Sequence, residues 1–92
     1  MTWMFDQARD VACLTCAAVL AGSPVLLVTH YEDDHSWAFL DGQKVRTQNM
    51  KVVAMSSVVD KHPDLAEIAN LPPGWTATRG APGEPWETSQ NM

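Results

Sequence analysis

Residues 25–40 read VLLVTHYEDDHSWAFL, a stretch that sets two short apolar segments on either side of a polar one. Residues 25–30 are apolar and rich in valine, as is typical of a central strand. Residues 31–36 are polar and favour a turn, and residues 37–40 alternate aromatic with aliphatic side chains. The stretch therefore predicts a β-hairpin, around which the rest of the chain must fold.

The segment before the hairpin, residues 11–21, has two interpretations. Its sequence VACLTCAAVLA contains alanines that favour a helix, whereas the alternation in its first half fits a strand buried on both faces. A Gly-Ser-Pro turn at residues 22–24 separates it from the hairpin. Either interpretation makes it a buried element.

Four further segments follow the hairpin. Residues 42–49 have mixed polarity and no period, which predicts an exposed loop, and residues 51–56 (KVVAMS) resemble another strand. Residues 63–71 begin with Pro63, which suits the first position of a helix, and carry apolar side chains at helical spacing. Residues 75–79 alternate bulky side chains with threonines, which predicts a last strand.

These elements predict an α+β fold: a mainly antiparallel sheet of about five short strands, with one principal helix, residues 63–71, packed on one face. A chain of 92 residues buries only enough surface for one domain, so residues 1–92 are interpreted as a single unit. Its ordered core is expected over residues 11–87, followed by a flexible C-terminal tail.

The charge balance and the missing motifs argue against two classes of function, nucleic-acid binding and catalysis. The net charge is −5, from 6 basic and 11 acidic residues, which argues against a nucleic-acid binder because phosphate contacts need clustered positive charge. An acidic surface instead attracts basic partners. No Gly-rich phosphate loop and no Ser-His-Asp or His-Glu-x-x-His motif occurs in the sequence. The chain is therefore expected not to be an enzyme and to have no catalytic residues.

The longest charge-free run, residues 11–29, is long enough to test as a membrane span. Residues 22–24 interrupt it with a turn, and its N-terminal flank is not basic. No secretory signal precedes it. The sequence thus predicts a cytoplasmic protein with no membrane segment and with reduced cysteines.

The densest polar cluster comprises His30, Glu32, Asp33, Asp34 and His35. It can be a solvated turn whose aspartates bond their own backbone, an acidic contact surface, or a metal site. Alternation along an extended strand separates His30 from His35, so these side chains can converge only around a tight turn.

Cys13 and Cys16 form a single Cys-x-x-Cys within an apolar run, where the thiols are expected to be buried and structural. A zinc site built on this pair would need further ligands from His30, His35 or His62.

Four tryptophans are available for packing or for binding. Trp75 is expected to be half-buried at the start of the last strand. Trp86 either packs the tail onto the sheet or contacts a partner. An apolar N-terminal cluster, residues 3–5, offers a homodimer contact, so both a monomer and a homodimer are open.

Three stretches together resemble a family of small bacterial proteins of unknown function, similar to the immunity-protein-like domains found beside polymorphic toxins. They are PVLLVTHYEDDHSWAFLDG at residues 24–42, KVVAMSSVVDKHPDLAEIANLPPGWTATR at residues 51–79, and Pro85-Trp86. The resemblance covers roughly residues 11–87. It implies a strand at the start of the ambiguous segment and a non-enzymatic protein that binds a partner.

The preferred interpretation is accordingly a protein-binding module of the immunity-like kind. Glu32, Asp33 and Asp34 would attract a basic partner surface, and Trp75 or Trp86 would supply buried contact. No cofactor and no metal ligand belong to this interpretation.

The alternative is a small metal-binding protein that uses His30 and His35 with nearby carboxylates, or Cys13 and Cys16.

Overall fold

The computed structural model describes residues 3–42 and 47–91, which contain one six-stranded sheet. The strands are β1 (Ala12–Cys16), β2 (Leu27–His30), β3 (Trp37–Leu40), β4 (Met50–Ala54), β5 (Trp75–Thr78) and β6 (Glu87–Gln90). Their order across the sheet is β4-β1-β3-β2-β5-β6. β1 and β3 run parallel and the other neighbouring pairs are antiparallel, so the sheet is mixed.

The predicted hairpin is confirmed as β2 and β3, which pair antiparallel up to His30 opposite Trp37. At the turn, the N–H of Tyr31 donates to the carbonyl oxygen of Ser36 at 2.8 Å. The returning strand β3 also lies next to β1 and runs in the same direction, so the β1–β3 pair is parallel.

The ambiguous segment contains both elements that its sequence suggested. Its first half is β1, and its alanine-rich second half is the helix α1 (Ala17–Leu20). α1 has four residues and buries Val19, so the run of alanines supports one helical turn rather than a long helix.

The expected fold, about five strands with one principal helix over residues 63–71, is wrong. The sheet has six strands, and the segment of the predicted helix forms a six-residue 3₁₀ helix, Pro63–Ile68. The other helices of the described ranges are shorter still; they are α1, α2 (Met55–Val59) and a 3₁₀ turn, Thr47–Asn49. The strand predicted for residues 51–56 ends at Ala54, and its last two residues belong to α2.

Two prolines limit the length of the predicted helix. Pro63 opens the segment and Pro72 closes it, and a helix this short gains little stability by itself. A 3₁₀ helix rises about 2.0 Å per residue against about 1.5 Å in an α-helix, so it spans more distance with few residues. Leu71 thereby reaches the sheet, where its carbonyl oxygen accepts a hydrogen bond from His30.

The C-terminal segment, predicted to be a loosely held tail, contains the sixth strand. β6 pairs antiparallel with β5, from Trp75 opposite Gln90 to Thr78 opposite Glu87. All four of its side chains are exposed, so no apolar alternation could reveal it. Backbone hydrogen bonding to the edge of β5 holds it instead.

One face of the sheet is covered and forms the core. Phe5 from the N-terminal segment packs edge-on against Trp37, with ring centroids 4.9 Å apart, and against Phe39 at 6.0 Å. Residues 3–5, considered above as a homodimer contact, therefore contribute to the core through Phe5, although Met4 is exposed. The helices add further apolar side chains to this core, which are Val19, Met55, Val58, Val59, Leu65 and Ile68.

Within the described ranges, the longest helix is far too short to cross a membrane. The prediction that no segment of the chain spans one agrees with this finding, whereas the cytoplasmic location stays a prediction. The loop predicted for residues 42–49 lies in part, at residues 43–46, outside the described residues.

Arg79, a buried arginine directly after β5, connects this end of the strand to Val25 and to the 3₁₀ helix. Arg79 donates from Nε and Nη2 to the carbonyl oxygen of Val25, at 3.2 and 3.1 Å, and forms an ion pair with Asp64 of the 3₁₀ helix. The ring of Trp86 lies over its guanidinium at 4.2 Å. By contrast, the ion pair between Arg9 and Asp60 is solvent-exposed on both sides.

This difference predicts unequal costs for two matched substitutions. Asp64→Asn removes the charge that faces a buried guanidinium and should lower the free energy of unfolding by about 2 kcal/mol. Asp60→Asn breaks an exposed pair and should cost less than about 1 kcal/mol. Urea denaturation followed by tryptophan fluorescence measures both, and equal costs would contradict this role of Arg79.

Candidate functional site

The turn between β2 and β3 holds the acidic residues that the sequence analysis singled out. Glu32, Asp33 and Asp34 are all exposed. Asp33 Oδ1 accepts from the N–H of Asp34 at 3.1 Å, and Asp34 Oδ1 accepts from the N–H of Ser36 at 3.0 Å. Hydrogen bonds from Ser36, first its side chain and then its backbone, hold the pKa of Asp34 below its usual range. Two of the three carboxylates thus stabilise the turn itself.

His30 closes β2 inside the core, where it is only 2% exposed. Its ring stacks on Trp37 at 3.9 Å, with 16° between the planes. Its Nδ1 lies 2.7 Å from the carbonyl oxygen of Leu71. A carbonyl oxygen can only accept, so Nδ1 must carry the hydrogen, and in the neutral ring Nε2 then presents a lone pair.

Asp6 of the N-terminal segment faces that lone pair. Its Oδ2 lies 3.0 Å from His30 Nε2, within ion-pairing distance but without hydrogen-bonding geometry. Its other oxygen, Oδ1, accepts from the indole Nε1–H of Trp37 at 2.8 Å. The indole therefore fixes the carboxylate so that one oxygen is aimed at the buried imidazole.

His35 completes the group from the far side of the turn. Its Nδ1 lies 3.7 Å from Asp6 Oδ2, and its ring meets that of His30 edge-on at 5.9 Å. Its φ of 59° is in the left-handed region, which few residues other than glycine adopt. The backbone is held there in part by Gln7, whose side-chain amide donates to the His35 carbonyl oxygen at 3.1 Å.

One ligand atom from each of Asp6, His30 and His35 lies within 4.8 Å of the other two. Two imidazole nitrogens and a carboxylate oxygen at this spacing are a donor set for a divalent transition metal. We call these three residues the His-His-Asp cluster.

The structure brings together only part of what the sequence suggested. His30 and His35 meet because the turn reverses the chain between them, but no carboxylate of that turn joins them. The third member, Asp6, is 24 residues before His30, and no motif spacing marks it. The available signal was indirect: burial of the apolar Phe5 brings its neighbour Asp6 to the core.

The cysteines and the third histidine lie elsewhere. Cys13 and Cys16 are buried free thiols, and neither belongs to the His-His-Asp cluster. Burial raises the pKa of the Cys13 thiol to about 11. His62 donates from Nε2 to the carbonyl oxygen of Val19 at 3.0 Å, as a structural histidine would.

The two tryptophans of the predicted partner surface are separated. Trp75 pairs with His30 across β5 and β2, at the end of the sheet where the acidic turn lies. Trp86 precedes β6 near the opposite end, roughly 13 Å away at a strand rise of about 3.3 Å per residue. Its ring packs on Arg79, which agrees with the interpretation that Trp86 packs the tail onto the sheet.

No family model, curated protein or solved structure matches this chain. The resemblance to immunity-like domains therefore stays an expectation, and the site must be interpreted from its own geometry.

The burial of Cys13 predicts slow thiol chemistry in the folded protein. With its pKa raised to about 11, Cys13 holds almost no thiolate at pH 8, and only the thiolate reacts. Iodoacetamide at pH 8 should leave Cys13 unmodified in the native state and alkylate it in guanidinium, as read by peptide mass spectrometry. Rapid native alkylation of Cys13 would contradict its burial.

Proposed function

We propose that this protein binds a divalent transition metal, such as zinc, through Asp6, His30 and His35. The observation that supports the proposal most strongly is the buried Nε2 of His30. It is solvent-inaccessible, it has no hydrogen-bond partner among the described residues, and it faces a carboxylate oxygen at 3.0 Å.

A lone pair facing a carboxylate in a buried place is unfavourable unless a positive charge lies between them. Burial removes the water that would otherwise compensate. Either a proton on Nε2 or a metal ion can supply the charge. A proton would make His30 a buried imidazolium with a single carboxylate partner, whereas a metal would also use His35.

The groups behind the cluster match those that orient metal ligands. Histidine ligands usually donate their second ring N–H to a carbonyl or carboxylate, and His30 donates Nδ1–H to Leu71 in this way. Ligating carboxylates are in turn hydrogen-bonded, as Asp6 is by Trp37. Both outer contacts are present before any metal arrives.

The donor types favour one group of metals. Imidazole nitrogen suits zinc, cobalt, nickel and copper, whereas magnesium and calcium prefer all-oxygen sites. Two nitrogens and one oxygen therefore support zinc-type binding over magnesium or calcium.

Tag-free protein should bind one zinc ion per chain in isothermal titration calorimetry. Asp6→Asn keeps an oxygen for the Trp37 hydrogen bond but loses the charge, and His35→Ala removes an exposed ligand without opening the core. Each should weaken zinc binding by at least about tenfold, the scale seen when supporting metal contacts are lost.

Asp10→Asn is the matched control, because Asp10 is exposed and in the same N-terminal segment but outside the cluster. It should bind zinc as the unmodified protein does. Failure of the unmodified protein to bind zinc, or equal affinities for all the variants, would overturn the proposal.

A second candidate function, the protein-binding module, has one observation in its favour. Glu32 and Trp75 lie at the same end of the sheet, and Glu32 is packed beside Gly74: a Cβ added there would come 3.5 Å from Glu32 Oε2. An acidic turn beside a half-buried tryptophan suits a basic partner surface. Trp86 is not part of this surface.

A charge-matched pair of variants tests this surface. Glu32→Gln, Asp33→Asn and Asp34→Asn together should slow association with a decalysine peptide, most strongly at low salt. Asp10→Asn, Glu84→Gln and Glu87→Gln remove the same charge from other exposed positions and should slow it less. If surface plasmon resonance shows the same decrease in association rate for both triple variants, net charge alone attracts the peptide and the turn is not a binding site.

A further inference from the structure

We propose that the metal bound by the His-His-Asp cluster keeps one exchangeable coordination position open to solvent, and that this position takes a small anionic oxygen or nitrogen donor. This inference rests on the metal binding proposed above and adds the class of ligand. It follows from the number of donors that the chain supplies, from their exposure and from the charge of the centre.

Among the residues described, the cluster supplies three donor atoms. His30 and His35 each offer one ring nitrogen to the cluster. Asp6 is restricted to one oxygen, because its Oδ1 already accepts the hydrogen bond from Trp37. Among the residues that the structure describes, the group that meets the ligand spacing ends with these three.

The nearest acidic side chains are engaged elsewhere. Asp33 and Asp34 accept backbone hydrogen bonds that hold the turn, and Glu32 lies against Gly74. None of the three carboxylates belongs to the group that meets the ligand spacing. Zinc normally takes at least four ligands, so three protein donors leave a position for a ligand from outside.

The exposure of the donors shows on which side that position lies. His30 forms the inner wall, 2% exposed and backed by the Trp37 ring. Asp6 and His35 form the outer wall, with side chains 38% and 54% exposed. A fourth ligand must therefore approach from solvent, between Asp6 and His35.

The charge of the centre selects the ligand class. A divalent metal with one carboxylate and two neutral imidazoles has a net charge of +1, which attracts water or a monoanion. The exposed carboxylates of the neighbouring turn repel highly charged anions. Small monoanions, such as azide or a free carboxylate, fit both conditions.

Cobalt(II) provides the test, because its visible absorption reports the coordination number and the ligand set. The tag-free protein is loaded with one equivalent of cobalt and titrated with sodium azide, then separately with sodium acetate. The expected result is a saturable change in the cobalt bands with each anion, in the unmodified protein and in the Asp10→Asn control. Sodium sulfate should have a weaker effect than either monoanion.

The possible failures are distinguishable. If cobalt binds with ligand-field bands that neither azide nor acetate alters, the coordination is closed and the open position is refuted while metal binding stands. If cobalt and zinc both fail to bind, the proposed function itself is refuted. If sulfate changes the cobalt bands as strongly as azide and acetate do, the preference for monoanions is wrong.

Discussion

The hydrogen bond from His30 Nδ1 to the carbonyl oxygen of Leu71 connects the hairpin to the loop that leads into β5. It satisfies a backbone carbonyl next to two prolines that cannot donate to it. It also determines the tautomer of a buried ring, and with it the direction in which the lone pair points. Both the packing of the covered face and the chemistry of the His-His-Asp cluster depend on this one contact.

Trp37 has three roles around the same histidine. Its ring stacks on His30 and makes a T-shaped contact with Phe5, and its indole N–H donates to Asp6. The N-terminal segment is thus attached by an apolar contact and a polar contact only one residue apart. Because Phe5 is buried, Asp6 is brought to the histidine pair with little freedom of its own. The core and the candidate site are therefore built by the same residues.

The sequence predicted the hairpin because both of its strands follow apolar patterns with a polar turn between them. It could not predict β6, because the exposed side chains of that strand carry no apolar pattern. It also could not predict the 3₁₀ helix, because a short apolar stripe between two prolines does not distinguish a 3₁₀ helix from an α-helix. For the site, the pattern identified His30 and His35 but paired them with carboxylates of their own turn. Asp6 was missed because its approach depends on tertiary packing of the N-terminal segment.

The central claim is that Nε2 of His30 binds a metal together with Asp6 and His35. Two-dimensional proton–nitrogen spectra of the histidine rings, recorded near neutral pH before and after one equivalent of zinc, test it most directly. We predict that one equivalent of zinc shifts the Nε2 resonance of His30 and the resonance of the ligating nitrogen of His35, while the ring of His62, whose Nε2 donates to Val19, stays unchanged. Resonances of the His30 ring that zinc leaves unmoved would contradict it.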